Sequence, residues 1–321
     1  MIKNMSIDFS KPYIVGVGGA NLDVHAKIVS DAVMHDSNPS VVHSSAGGVT
    51  RNILDNLSRM GMQTTLLSSI GDDLPGKTLV SSCEHVGIDT SHILVSNEFS
   101  TGSYVAIIDN AGGLLVSSCD ARAVENIPLD YLEDKQQIIS NAAAIVCDTN
   151  LDARQLVKIK ELSKNSKLFL DPVSGPKAEK IKDIIDIFYF IKPNRFELSV
   201  LSGMPCDTDS EIQAAAKALI DKGVHSVAVS LTERGCFYID ADGNEFFRSL
   251  GHTFVPVDTT GAGDAFMAGM VYAFANKFEI KKCLDFALAA GVVAILSDDT
   301  INPQMSCEYI TEIMKKYSKE N

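Results

Sequence analysis

The stretch Asp258-Thr259-Thr260-Gly261-Ala262-Gly263-Asp264-Ala265-Phe266 is a Gly-rich turn opening onto an apolar run, Ala265 to Ala275, that reads AFMAGMVYAFA. The run suits three helical turns and is too evenly apolar for a surface helix, so the sequence predicts a buried one. Small residues at Ala265, Ala268 and Gly269 predict close approach to a neighbouring backbone. The first amides of such a helix have no intrahelical acceptor, and its aligned peptide dipoles favour negative charge there. Gly261 and Gly263 lack Cβ and let the chain turn sharply beside a ligand. Asp264 reads either as an N-terminal cap or as a proton acceptor next to a bound anion. The second layout is what phosphoryl transfer needs.

Upstream, strand and helix alternate. Tyr13 to Val17 is an apolar strand ending in Gly18-Gly19, and a helix over 50–60 follows Gly47-Gly48. A strand over 64–70 leads to a helix over 75–86. Strands are expected again at 144–147, 167–170, 187–191 and 226–231, with helices at 152–164, 178–185, 194–201 and 210–222. Such alternation, with little polar patterning in the strands, predicts an α/β fold with a mainly parallel central sheet and helices on both faces. Segments 25–44 and 101–118 break the rhythm. Tyr104 to Ile108, a turn at 109–113 and Leu114 to Val116 read as a hairpin. A small β-sheet lid built from these two insertions would hang at the carboxyl ends of the main strands, where such sheets bind ligands.

The chain has 321 residues, 45% hydrophobic and 21% charged, with a net charge of −13. It is long enough for one large core, expected over 12–317. The acidic balance excludes a broad nucleic-acid footprint, which needs clustered Lys and Arg. Seven scattered cysteines without metal-ligand spacing read as reduced thiols, no run is long enough to span a membrane, and the cytoplasm is the expected location. Residues 1–11 read as a loose leader and the final KKYSKEN as a frayed helix end. There is no GxxxxGK[ST] sequence, and Gly16-Val-Gly-Gly19 lacks the spacing of a dinucleotide fingerprint.

Lys192-Pro193-Asn194-Arg195-Phe196-Glu197 opens a helix with Asn194 and Glu197 three apart. That spacing makes a capping box, and it also suits a carboxylate ordering a hydrated Mg²⁺. Arg234 reads either as a phosphate contact or as a solvated turn residue. His25 and His43 fall in the lid and read more readily as surface histidines than as base contacts.

Taken together, Asp258 to Asp264, Lys192 to Glu197, and Gly47-Gly48-Val49-Thr50-Arg51-Asn52 resemble, in order and separation, the motifs of the ribokinase-like (PfkB) sugar and nucleoside kinases. The resemblance spans Tyr13 to about Met314. Gly19 to Val24, Thr101 to Val105 with Ile108 to Asn110, Asp171 to Ser174, Lys192 to Arg195 and Asp299 to Pro303 look like the pseudouridine kinase branch of that family. The resemblance implies a ribokinase-like fold, ATP and Mg²⁺ as cofactors, and transfer to a ribose 5′-hydroxyl of pseudouridine or a related nucleoside. Uridine, adenosine, inosine, ribose or fructose are the alternative acceptors, and a nucleoside-binding protein without turnover is the reading from another class.

By position, the resemblance makes Asp264 the catalytic base and Gly261, Ala262 and Gly263 the anion hole. It assigns Asn21, Asp23, Gly48 and Asn52 to the ribose, with Ser103 and Tyr104 from the lid and Asp148 and Asn150 nearby. Lys192, Asn194, Ser230, Thr232 and Gly235 fall on the nucleotide side, and Glu197 on Mg²⁺ through water. Asp258, Thr260 and Ser297 border a monovalent-cation site for K⁺. A homodimer through the lid is also implied, with no nucleic-acid or membrane partner.

Overall fold

Aliphatic runs that must be covered on both faces become the central strands, which is why they lack polar alternation. The computed structural model describes residues 7–317. Its strands are β1 Tyr13–Val17, β2 Asn21–Ile28, β3 Ser40–Gly47, β4 Gln63–Leu67, β5 Ser69–Gly71, β6 Ile88–Asp89, β7 Leu94–Ser96, β8 Gly102–Ile108, β9 Leu114–Asp120, β10 Ala144–Asp148, β11 Lys167–Asp171, β12 Phe190–Ile191, β13 Ser226–Ser230, β14 Cys236–Asp240 and β15 Glu245–Arg248. Nine of them form one sheet in the order β15-β14-β13-β12-β11-β10-β1-β4-β6. Pairing is parallel from β13 through β6, and β14 and β15 are antiparallel at one edge. That edge hairpin is absent from the alternation read above, although Asp242-Gly243 in its turn is a recognisable hairpin signal.

Successive residues of β1 point to opposite faces, so Ile14 and Val15 belong to two different buried clusters. On the Ile14 face, the helix Val49–Arg59 packs against the helix Ala262–Ala275, which in turn packs against Ile280–Ile295. A Cβ on Gly269 would lie 2.7 Å from Ala287 Cα, which accounts for the small residues along the Ala262–Ala275 helix. Among the described residues, no helix is long and apolar enough to cross a membrane.

Of the expected leader, residues 1–6 lie outside the described residues, and the described part is not loose. Ile7 joins the buried cluster on the Val15 face, and the Asp8 amide donates to Gln63 at 3.0 Å. At the other end, the helix Cys307–Tyr317 carries Tyr317 onto His252, with ring centroids 4.6 Å apart and nearly parallel planes. Residues 318–321 lie outside the described residues.

A separate four-stranded sheet has the order β3-β2-β8-β9. Its strands extend beyond the 25–44 and 101–118 segments: β2 begins at Asn21, β3 ends at Gly47, and β9 ends at Asp120. The extension matters, because Asn21 and Asp23 then lie on the small sheet itself. β5 and β7 form a two-stranded parallel pair.

Candidate active site

Five parallel strands of the main sheet end side by side, and the residues just beyond their carboxyl ends form one site. These are Gly18-Gly19 after β1, Asp148 closing β10, Asp171 closing β11, Lys192 after β12 and Ser230 closing β13. The N-terminus of the Ala262–Ala275 helix faces the same place. Gly261 caps that helix at φ 79°, and a Cβ there would lie 2.0 Å from the Thr300 carbonyl oxygen, so only glycine fits.

Asp264 is not a cap. No side chain caps this helix, and the Asp264 carboxylate instead accepts a 2.7 Å hydrogen bond from Asn52 Nδ2. Asp264 is only partly exposed, at the mouth of the site. Burial pushes its carboxyl up to about 7, with Asp171 reinforcing the rise and Asn52, Lys192 and Arg51 opposing it. Removing the carboxylate from water disfavours its charged form, which is the larger part of this rise.

Behind Asp264, Arg51 is 2% exposed. Its guanidinium donates to the Gly47 carbonyl at 3.2 Å, the Ala46 carbonyl at 2.6 Å and Asp55 at 2.9 Å, and also to the Asn52 side-chain oxygen. Arg59 donates to the second Asp55 oxygen at 2.6 Å. The i, i+4 spacing of 51, 55 and 59 could have suggested this stripe, but not its link to Asp264.

Lys192 lies within a group of carboxylates. Its ammonium is 3.1 Å from Asp171 Oδ2, while Asp171 Oδ1 accepts from the Val173 amide at 2.8 Å. Burial opposes the charge on Lys192, but Asp171, Glu197 and Asp264 outweigh it and hold its pKa above the ordinary value. Burial, then Asp171, raises the carboxyl of Glu197. Both sides of the capping box form, with Glu197 Oε2 accepting from the Asn194 amide at 2.8 Å and Asn194 Oδ1 accepting from the Glu197 amide at 2.9 Å. Glu197 Oε1 remains, beside an excess of negative charge, and that donor chemistry suits a hard divalent cation. Among the described residues, no three acidic, His or Cys side chains converge as metal ligands, so Mg²⁺ would be held here through water and phosphate oxygens.

On the acceptor side, Asn21 donates to Asp23, and burial raises the Asp23 carboxyl. A Cβ on Gly47 would lie 2.2 Å from Asp23 Oδ2, so the carboxylate rests directly over the Gly47 backbone. Gly48, at φ 98°, lets the start of the Val49–Arg59 helix approach the Gly19 carbonyl, where a Cβ would come within 2.4 Å. Asp23 and Tyr104 are register partners and share a face of the small sheet, where Tyr104 meets His25 edge to face at 6.2 Å. Ser103 pairs with Leu22, so alternation turns its side chain to the opposite face from Asp23.

Asp148 is placed differently from its expected substrate role. It is fully buried, and its oxygens accept from the Gly19 amide, the Thr50 amide and hydroxyl, and the Asn150 amide at 2.8–2.9 Å. With those lone pairs engaged, it ties the Gly19 turn to the start of the Val49–Arg59 helix. The Asn150 side-chain oxygen accepts from Lys177. Asp258 accepts both the amide and hydroxyl of Thr260 at 2.8 Å, and the Ser297 hydroxyl accepts from the Asp299 amide at 3.1 Å. Arg234 is half exposed and pairs with Asp209.

On the far side of Lys192 opens a cavity of about 400 Å³. Lys192, Ser230, Thr232, Gly235, Ala262 and Gly263 line it, as expected, with Asn194 adjoining through a bridge to Ser230. Leu250, Phe254, Phe266, Leu288 and Val292 supply an apolar wall that the sequence did not disclose, since such residues look like any core. Thr232 stands at φ 54°, a backbone region that β-branched residues avoid.

Residues 11–307 match the model of the pfkB family carbohydrate kinases, and the chain belongs to that family. It is 30% identical over 305 residues to pseudouridine kinase of Escherichia coli (strain K12), covering 95% of this chain and 97% of that one. An uncharacterised sugar kinase from the same organism is 31% identical over 297 residues, covering 92% and 82%. The structure of Arabidopsis thaliana ribokinase complexed with ribose and ATP superposes with a TM-score of 0.87, covering 95% and 99% at 22% identity, which establishes the common fold. The protein is therefore a ribokinase-like α/β kinase of the nucleoside and sugar class, in a family whose activity typically depends on ATP and Mg²⁺.

Proposed function

We propose that the chain transfers the γ-phosphoryl group of ATP to the 5′-hydroxyl of pseudouridine, giving pseudouridine 5′-phosphate and ADP. The observation that carries this reading is Asp264, raised to about 7 and held by Asn52, at a helix N-terminus beside a half-open cavity. Pseudouridine is favoured over other acceptors by the likeness to pseudouridine kinase and by the motif stretches of that branch. The aromatic edge made by His25 and Tyr104 on the Asp23 face suits a nucleoside base better than a bare sugar.

In the reaction, the 5′-oxygen attacks the γ-phosphorus and a new O–P bond forms. The bond from that phosphorus to the β–γ bridging oxygen breaks, its electron pair leaves with ADP, and the hydroxyl proton passes to Asp264. The amides at Gly261 to Gly263 and the Lys192 ammonium face the charge on the transferring group. Ala262 contributes least, because its amide already leans on the Thr259 carbonyl at 3.3 Å. Asn21 and Asp23 grip the ribose hydroxyls, with Gly48 and Asn52 beside them. Glu197 and Asn194 would order a hydrated Mg²⁺, which would supply positive charge against the phosphates. Asp258, Thr260 and Ser297 border a K⁺ site. The protein works in the cytoplasm, consistent with seven free cysteines, and pairs with a second copy through its lid.

Steady-state phosphorylation of pseudouridine against uridine, adenosine, inosine, ribose and fructose tests the substrate. The expected result is the highest kcat/KM for pseudouridine, and a higher value for any of the others would reassign it.

A further inference from the structure

Resting on the assignment of Asp264 as base, we propose that Arg51 is its positioning residue and mechanically links it to the acceptor-gripping end of the lid. The Asn52 amide is oriented by its neighbours. Side-chain oxygen and nitrogen are interchangeable by shape, so a neighbour must fix them. Arg51 can only donate, and it donates to the Asn52 oxygen. The Asn52 nitrogen is therefore forced toward Asp264, where it donates at 2.7 Å. Asn52 holds Asp264 as an acceptor, with one carboxylate oxygen engaged and the other left for a substrate proton.

The same guanidinium donates to the carbonyls of Ala46 and Gly47, the last residues of β3. Gly47 lies directly under the Asp23 carboxylate. One rigid, planar fork thus fixes both the seat of Asp23 and the amide that aims the base. Asp55 holds the fork from behind at 2.9 Å, and Arg59, 24% exposed in its side chain, leads that chain to the surface. Lysine cannot take this place, because a single ammonium cannot serve carbonyls, amide and carboxylate in a fixed plane. Arg51 touches neither substrate nor the transferred group, so its action is wholly through Asn52 and Gly47.

The test uses the full chain with Arg51→Lys and the double variant R51M/D55L. The double variant avoids leaving Asp55 buried opposite a missing partner. Initial rates are measured over both substrates, alongside Tm and the D264N variant. The expected result for both Arg51 variants is a kcat at least tenfold lower, a raised KM for the acceptor and a KM for ATP within twofold of the parent. A folded double variant with unchanged kcat would overturn the positioning role. So would a parallel loss in kcat, ATP binding and Tm, which marks a merely structural residue. D264N separates the two levels: if it turns over normally, the base assignment falls and this proposal with it. If D264N is inactive while R51M/D55L is normal, only the role of Arg51 falls.

Discussion

Lys192 and Asp171 are an almost fully buried ion pair, 3.1 Å apart, each side chain only 7% exposed, brought together by the adjacency of β11 and β12. Removing one partner of such a pair typically costs about 3–5 kcal/mol, because the other charge is left without compensation. We therefore expect Lys192→Met to lower stability by that order and to weaken ATP turnover. In the double variant K192M/D171N, thermal unfolding should recover most of the stability while steady-state assays show no recovery of kcat. Recovery of both would remove Lys192 from the phosphate site.

The pH profile of kcat/KM should show an acid limb near 7. Asp264 must be ionised to accept a proton, and its pKa is raised to about 7. Below that value the rate falls roughly tenfold per unit, and above it the base is fully available. Asp171 is the charge that helps raise this value, so Asp171→Asn should move the limb to lower pH. A limb that stays put in that variant would dissociate it from Asp264.

Asp264 should also be a liability for stability. A carboxyl whose folded pKa exceeds its unfolded one binds its proton more tightly when folded. Its contribution is full below the unfolded value near 4 and is lost as pH rises toward 7. Asp264→Asn should thus abolish turnover and gain Tm relative to the parent as pH is raised from 4 to 8. Calorimetry at several pH values checks the sign.

Gly47→Ala should act on the acceptor alone. The added methyl would fall 2.2 Å from Asp23 Oδ2 and displace that carboxylate. The expected outcome is a raised KM for the nucleoside with the KM for ATP preserved, read from initial rates with each substrate varied.

Outward on the lid, Val42, Leu114 and Val116 are each more than half exposed. Such apolar residues on the edge strands β3 and β9 invite pairing with another sheet. Sedimentation at low micromolar concentration should give a dimer for the parent and a monomer for V42E/V116E.

The chemistry that lies in one contiguous stretch was legible from sequence, and chemistry assembled across strands was not. Gly261 to Asp264 and Lys192 to Glu197 could be read because a turn and the helix behind it are neighbours along the chain. Asp171 acquires its importance only when β11 and β12 lie side by side, and nothing local marks it as the partner of Lys192. Arg51 was visible within its motif, but its bonds to Ala46, Gly47 and Asn52 require the helix start and the end of β3 to be folded against each other. Asp148 illustrates the converse. The family resemblance puts it near the substrate, whereas in the fold its lone pairs are taken by Gly19, Thr50 and Asn150. The α/β alternation was recovered well, whereas the antiparallel edge β14–β15 was not, because a hairpin continuing from a parallel strand interrupts no hydrophobic pattern.

Asn21 and Asp23 belong to β2, so the residues proposed to hold the sugar and the small sheet proposed to cover it are one piece of backbone. An enzyme built this way needs no separate signal that its second reactant has arrived. Under the proposed assignment, engaging the acceptor would pull directly on the small sheet, so binding and any movement of that sheet would be a single event.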